Sequence, residues 1–430
     1  MPERFASVAN WLMRNSMNES KTDSRSNLIV KRITVGAPHS LLFVFFNLLY
    51  FLPLFVVLFF SYSEGGTGDA ADLDAKALLK ITFIFCAGTL AFLLGSRLMW
   101  NGNSSDDRRK GLAALQLFVP GRPFGALCVI AAVIFVLAKA LLVPLGVYTE
   151  YAFDTENMIG GIWSFSMFCS ESLLFLSIVV LFSTLQRKVT WFLVLTAINA
   201  LNLLHGTRIF TMIACIVFCF YQYLRGKLTL RVGAAAFVTA LGLGYLVFLS
   251  RSGVELDDQT FSISHLASPV MFEGVFSQIS LIGTIRHPEA WSVWGSIGSF
   301  FHDVTCFLIP RFLLPEKDKL LIIDQFVDLS PLGAFSGYAQ GLIYFGWFFP
   351  LFYLFLGCLG GWLLRQAARS QFWSMIYMYF VCDFLFRIMR DGYIIPIKMI
   401  LDSAIILLFV LWCNRDRGPV GIVRNSVAPT

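Results

Sequence analysis

The topology of this chain turns on how residues 189–224, VTWFLVLTAINALNLLHGTRIFTMIACIVFCFYQYL, are divided. As one helix they would extend about 54 Å at about 1.5 Å per residue, far more than the roughly 30 Å hydrocarbon core of a bilayer. The polar step His205-Gly206-Thr207-Arg208 offers a break, and a split there gives two short crossings. Further apolar runs of spanning length fall near 40–62, 77–98, 124–146, 162–185, 232–250, 338–364, 372–390 and 393–413. The expected fold is an all-α polytopic membrane protein with about ten transmembrane helices.

Composition agrees. The 430 residues are 57% hydrophobic and only 14% charged, outside the range of soluble globular domains. The nine cysteines sit mostly inside apolar runs, so neither a disulfide framework nor a zinc spacing is implied. They are expected to serve as small core residues. No metal, cofactor or nucleic-acid partner is expected.

Charge placement tests the division. The segments 1–39, 97–123, 186–190, 225–231, 365–371 and 414–430 hold most of the 33 Lys and Arg. The alternate loops at 63–75 and 147–161 are acidic, with Glu64, Asp69, Asp72, Asp74, Glu150, Asp154 and Glu156. Basic loops stay in the cytoplasm, so both termini are expected inside. Keeping 189–224 whole would invert every later loop and put Arg225, Lys227 and Arg231 outside. The organisation is thus a cytoplasmic tail (1–39), spans one to seven (40–250), a large outer loop (251–337), spans eight to ten (338–413) and a cytoplasmic tail (414–430). The first tail lacks the short apolar core of a cleaved signal peptide and is expected to be loosely ordered.

The 251–337 loop is the one long stretch that reads neither as a span nor as a short turn. It holds three of the five histidines and is net acidic. Its segments 268–285 and 291–309 mix apolar and polar residues, as short helices lying along a membrane surface do.

Ionisable residues inside spans are rare and costly. Here they are Lys139, Glu171, Asp383, Arg387, Lys398 and Asp402, all placed toward outer helix ends by this topology. Asp383, Arg387 and Arg390 share one helix face, Lys398 and Asp402 stand four apart, and Asn199, Asn202 and His205 descend toward Arg208. One explanation is helix-to-helix glue. The other is a polar cleft open to the outside, lined by Asn202, His205, Glu171, Asp383 and Lys398. Arginines in excess of local acids would suit a lipid-linked diphosphate at headgroup level, because a guanidinium matches phosphate oxygens and stays charged.

These features resemble bacterial oligosaccharide repeat-unit polymerases of the Wzy type. The resemblance rests on the Gly206-Thr207-Arg208 turn, the outer loop beginning at Arg251, Ile309-Pro310-Arg311 through Lys317, and the re-entry segment Gly337-Tyr338-Ala339-Gln340-Gly341-Leu342-Ile343-Tyr344-Phe345-Gly346. It covers about residues 195–365. The loop reads Pro315-Glu316-Lys317-Asp318 where a proline is expected after the lysine, which weakens any role for Lys317.

The resemblance implies a metal-independent, GT-C-like glycosyltransferase in the bacterial cytoplasmic membrane, acting on its outer side. It would move a growing glycan from undecaprenyl diphosphate onto a new lipid-linked repeat unit. Partners would be these two lipid-linked substrates, membrane lipids and a chain-length regulator. Arg208, Arg251, Arg311, Arg387 and Arg390 are then the candidates for holding the diphosphate, with His302 as base, oriented by Asp303. Tyr338 and Tyr344 are expected to anchor the interface. An O-antigen ligase using the same donor is the nearest alternative, and a lipid-linked oligosaccharide flippase is one of another class.

Overall fold

The computed structural model describes residues 37–63, 75–99, most of 115–141, most of 160–242, most of 278–326, and 335–413. Arg251, Arg311, Lys317, residues 1–36 and 414–430 and most of the expected span 232–250 lie outside the described residues. The helices are α1 (Pro38–Ser63), α2 (Ala75–Met99), α3 (Phe124–Leu141), α4 (Gly160–Leu181), α5 (Lys188–Asn199), α6 (Ile209–Leu224) and α7 (Ile297–Leu308). They continue with α8 (Gly337–Phe345), α9 (Phe349–Ala367), α10 (Gln371–Tyr379), α11 (Leu385–Asp391) and α12 (Ile394–Cys413). Among the described residues the only sheet-like pairing is one isolated bridge between Phe118 and Ser183.

The polarity of the bundle is inverted relative to a soluble protein. Leu79, Phe83, Leu90 and Leu94 of α2, Val129, Val133 and Leu137 of α3, and Leu401, Ile405 and Leu408 of α12 face outward. Ser166, Ser170, Glu171, Asn199, Asn202, Asp383 and Arg387 are buried. An apolar exterior of this extent belongs in lipid. Among the described residues, four stretches are long and apolar enough to cross a membrane: Leu78–Met99, Gly337–Ala367, Gln371–Asp391 and Ile394–Trp412. The protein is therefore a membrane-embedded helical bundle.

The break expected at 205–208 is present. After α5 the backbone tightens into a 3-10 turn over Ala200–His205, and α6 begins at Ile209 with Arg208 at its N-cap. Thr207 N–H donates to the Asn202 carbonyl (2.9 Å), closing the turn. The expected span 338–364 falls within one of these four stretches, but its helix is interrupted. Gly346 (φ +54, ψ −136) stops α8 and redirects the chain through Gly346–Phe348 into α9. The run from Gly337 to Ala367 would be about 46 Å as one rod, too long for one crossing. All nine residues of α8 are buried, whereas α9 carries the exposed Leu351 and Phe355. An interrupted helix is tolerated within a bundle where protein surrounds the break.

α2 and α9 form the most extensive helix pair. Their backbones approach closely because Gly95 faces the Leu354 carbonyl and Gly357 faces the Phe92 carbonyl, leaving no room for a Cβ at either position. Lipid supplies no hydrophobic drive between helices, so close packing of small residues carries the association. A second tight spot caps α11. Gly392 adopts φ +73, its Cα lies against the Gln340 side-chain amide, and Gln340 Oε1 accepts from Tyr393 N–H (2.6 Å).

Gly357→Ala is expected to lower stability by at least about 1–3 kcal/mol, since it drives a methyl into backbone rather than into a yielding side chain. Gly125→Ala in α3, where nothing lies within 4 Å, is the control and is expected to be neutral or slightly stabilising. Thermal unfolding of both variants in detergent measures the contrast, and equal midpoints would refute the packing account.

Candidate functional site

Two polar centres organise the bundle. The first is built around Asp303 on α7. This helix is capped by Ser296, whose hydroxyl accepts from Ser299 N–H (3.3 Å), and its start is sewn to the α8–α9 break. Ser296 N–H donates to the Tyr344 carbonyl (2.6 Å) and Trp347 N–H to the Val293 carbonyl (3.1 Å). Phe300 turns inward against Tyr344, Phe345 and Phe352, while Ile297 and Phe301 point outward.

Asp303 is fully buried and receives four donors. Oδ1 accepts from Ile322 N–H (2.8 Å) and pairs with His302 Nδ1 (3.0 Å). Oδ2 accepts from Ile323 N–H (2.9 Å) and from the Tyr344 hydroxyl (2.7 Å). With the other three partners all donors, the arrangement calls for an acceptor-only carboxylate, and so for the His302 tautomer with its proton on Nδ1. The imidazole itself is 47% exposed, and its Nε2 lone pair points away from Asp303 toward Cys306 Sγ at 3.7 Å. The expected pairing of His302 with Asp303 is thus in place. What the sequence did not show is that Asp303 also fastens the backbone at 322–323 and the Tyr344 hydroxyl. Tyr338 and Tyr344 are fully buried, not interfacial: the Tyr338 hydroxyl donates to Asn47 Oδ1 and its ring stacks on Tyr353.

The second centre lies in the interior. Arg387 of α11 donates through Nη2 to Glu171 Oε2 (2.6 Å) and through Nε to Asp383 Oδ1 (2.7 Å), and its guanidinium lies over the Phe210 ring (5.5 Å). Glu171 Oε1 accepts from the Tyr379 hydroxyl (2.7 Å). Asp383 sits in a π-helical turn, Phe380–Phe384, where the wider winding interrupts the regular helix. Glu171 and Asp383 are inaccessible to solvent and Arg387 nearly so.

This overturns the assignment of Arg387 to a diphosphate site open to the outside. It is buried and its charge is paired with two carboxylates, one of them supplied by a distant helix. Glu171 and Asp383 belong to the same sealed cluster, not to the wall of an open cleft. Nor do arginines exceed acids here, since Arg390 pairs with Asp391 (2.9 Å) at the end of α11.

The remaining candidates separate in space. Asn202 is buried and joins α5 to α4: its amide donates to Asn199 Oδ1 (2.6 Å), and Ser170 Oγ donates to its Oδ1 (3.1 Å). That is structural glue. His205 ends the 3-10 turn, and its side chain lies outside the described set. Arg208 is half-buried at the start of α6, two residues before the Phe210 ring that touches Arg387. Lys398 Nζ stands over Phe307 (5.6 Å), tying α12 to α7. His287 pairs with Glu289 at the surface (2.8 Å); the Glu289 backbone N–H and the imidazole hold that carboxyl below the usual range. At the far end of α6 a cleft lined by Arg187, Lys188, Tyr221 and Arg225 holds both Lys188 and Arg225 against the Tyr221 ring. No protein-family model, curated protein or solved structure matches this chain.

Arg387→Ala would strand two buried carboxylates, and a loss of about 3–5 kcal/mol is expected. Arg390→Ala, at a partly exposed pair, is expected to cost no more than about 1 kcal/mol. Quantifying folded protein in membranes and its unfolding midpoint distinguishes them: a stable, abundant Arg387→Ala protein would contradict the structural role.

Proposed function

We propose that this chain is a membrane glycosyltransferase, a polysaccharide polymerase that transfers a growing glycan from undecaprenyl diphosphate to a new lipid-linked repeat unit. The reading includes ten spans, a GT-C-like arrangement, cytoplasmic termini and an outer placement of α7 in a bacterial cytoplasmic membrane. The observation that carries it is the exposed His302 imidazole, held by a buried carboxylate with its basic nitrogen free of that carboxylate.

In this reading His302 Nε2 takes the proton of the acceptor hydroxyl. The resulting oxygen attacks the anomeric carbon of the donor sugar while the bond from that carbon to the diphosphate oxygen breaks. Charge grows on the departing diphosphate, where guanidinium groups contribute most in the transition state. Arg208 is the best-placed described candidate, at a helix start and half-exposed. Arg251 and Arg311 complete the proposed set from the loop. Asp303 acts through His302 by fixing its tautomer and orientation.

The decisive comparison uses a strain lacking the gene, complemented with variants and examined by surface-glycan electrophoresis. Loss of the gene is expected to leave glycan capped at one repeat unit. Complete loss of attached glycan would instead indicate a ligase, and undiminished long chains would defeat both. His302→Gln and Arg208→Ala are each expected to reduce chain extension by about a hundredfold or more with protein level preserved. Unchanged polymer in either variant removes that residue from the mechanism.

A further inference from the structure

One nucleophile beside this site has no part in the glycosyl transfer. Cys306 lies one helical turn after His302 on α7, at the i, i+4 spacing that places side chains together. Its Sγ is 3.7 Å from His302 Nε2, and it is partly exposed. Three groups therefore line up: a thiol, an imidazole nitrogen facing it, and a carboxylate, itself buried, on the other imidazole nitrogen. The direction of the hydrogen bonds follows from the far end. Asp303 accepts a hydrogen bond from Nδ1–H, so Nε2 is left as an acceptor, and the group facing it is a thiol that can donate. This is the nucleophile–base–orienter arrangement that activates cysteines, found here within five residues of one helix. Of the other described cysteines, Cys128, Cys169 and Cys382 are buried, Cys215, Cys219 and Cys358 are partly exposed, and Cys86 is exposed on α2.

We infer that Cys306 is a modification site, a thiol primed by His302 and Asp303 to exchange with small disulfides, and that its capped form takes His302 out of service. The step balances. Nε2 removes the Sγ proton as Sγ attacks one sulfur of the incoming disulfide. The old S–S bond breaks, a Cys306 mixed disulfide forms, and the departing thiolate collects the proton from the imidazolium. The cap then occupies the space in front of Nε2, where an acceptor hydroxyl would have to stand. A reducing thiol reverses the exchange. The exchange itself is independent of what the protein catalyses, whereas the blockade rests on the polymerase reading above.

Full-length protein in native membranes, treated with dithiodipyridine and read by peptide mass spectrometry, tests the exchange directly. Cys306 is expected to be capped before Cys86, and His302→Gln is expected to slow it about tenfold or more at neutral pH. The two rates should converge in strongly alkaline buffer, where thiols ionise without help. Because a change in accessibility would persist at every pH, this convergence separates activation from exposure. Equal rates in wild type and His302→Gln at neutral pH, or capping of Cys86 first, would overturn the assignment. Thermal unfolding of His302→Gln run alongside establishes that the helix is intact.

The blockade is read separately by chain extension. Capped protein should lose extension and regain it on reduction, with Cys306→Ser insensitive to the reagent. Full extension by capped protein would overturn the blockade. Absence of extension in untreated wild type would count against the polymerase reading, with the exchange still judged on its own rates.

Discussion

A guanidinium in the middle of a lipid-embedded bundle cannot be left without partners, and the arrangement around Arg387 follows from that. Removing ions from water costs several kcal/mol each, a cost that close carboxylates offset only with good geometry. Arg387 meets the requirement with Glu171 at 2.6 Å and Asp383 at 2.7 Å, while Tyr379 holds the far oxygen of Glu171. Satisfying that one charge fixes the depth of α4 relative to α11, the use of a π-helical turn and the position of Phe210 at the head of α6. A polar interior beneath an apolar surface is the general form; this cluster is its most demanding instance.

The second polar centre works differently. Asp303 gathers donors from three separate pieces of chain: its neighbour His302, the backbone at 322–323, and Tyr344 on α8. Its own oxygens are thereby saturated, and what faces outward is the imidazole. Rigid support below and an exposed nitrogen above is the layout that a positioned acid or base requires. The same support makes Cys306 more than a filler of the helix face, because a thiol beside a fixed, unprotonated nitrogen has a route for losing its proton.

Some of this was legible in the sequence for local reasons. The break after His205 is written in a polar step within an otherwise apolar run, and the Asp383–Arg387 and His302–Asp303 pairings are set by neighbouring positions on a helix. What escaped was non-local or hidden in uniform apolarity. Glu171 looked like one more cleft residue because nothing nearby in sequence names its partner. Counting arginines against local acids failed for the same reason. The stop at Gly346 lies in a continuous apolar stretch where hydropathy cannot distinguish one long helix from a buried helix followed by a second one. Tyr344 looked like an interfacial aromatic because its hydroxyl partner sits 41 residues earlier.

The bond between Arg387 and Glu171 joins positions 216 residues apart. Ribosomes deliver α4 to the membrane long before α11 has been made, so the protein cannot be completed helix by helix in order of synthesis. Until the C-terminal part arrives, Glu171 lacks both the guanidinium and the Tyr379 hydroxyl that hold it in the finished bundle. A chain cut short before Arg387 is therefore not a smaller version of the same protein but an assembly intermediate with an acid awaiting its counterion. Biogenesis of this bundle finishes at its C-terminal end, and its integrity can be surveyed there by whatever inspects newly inserted membrane proteins.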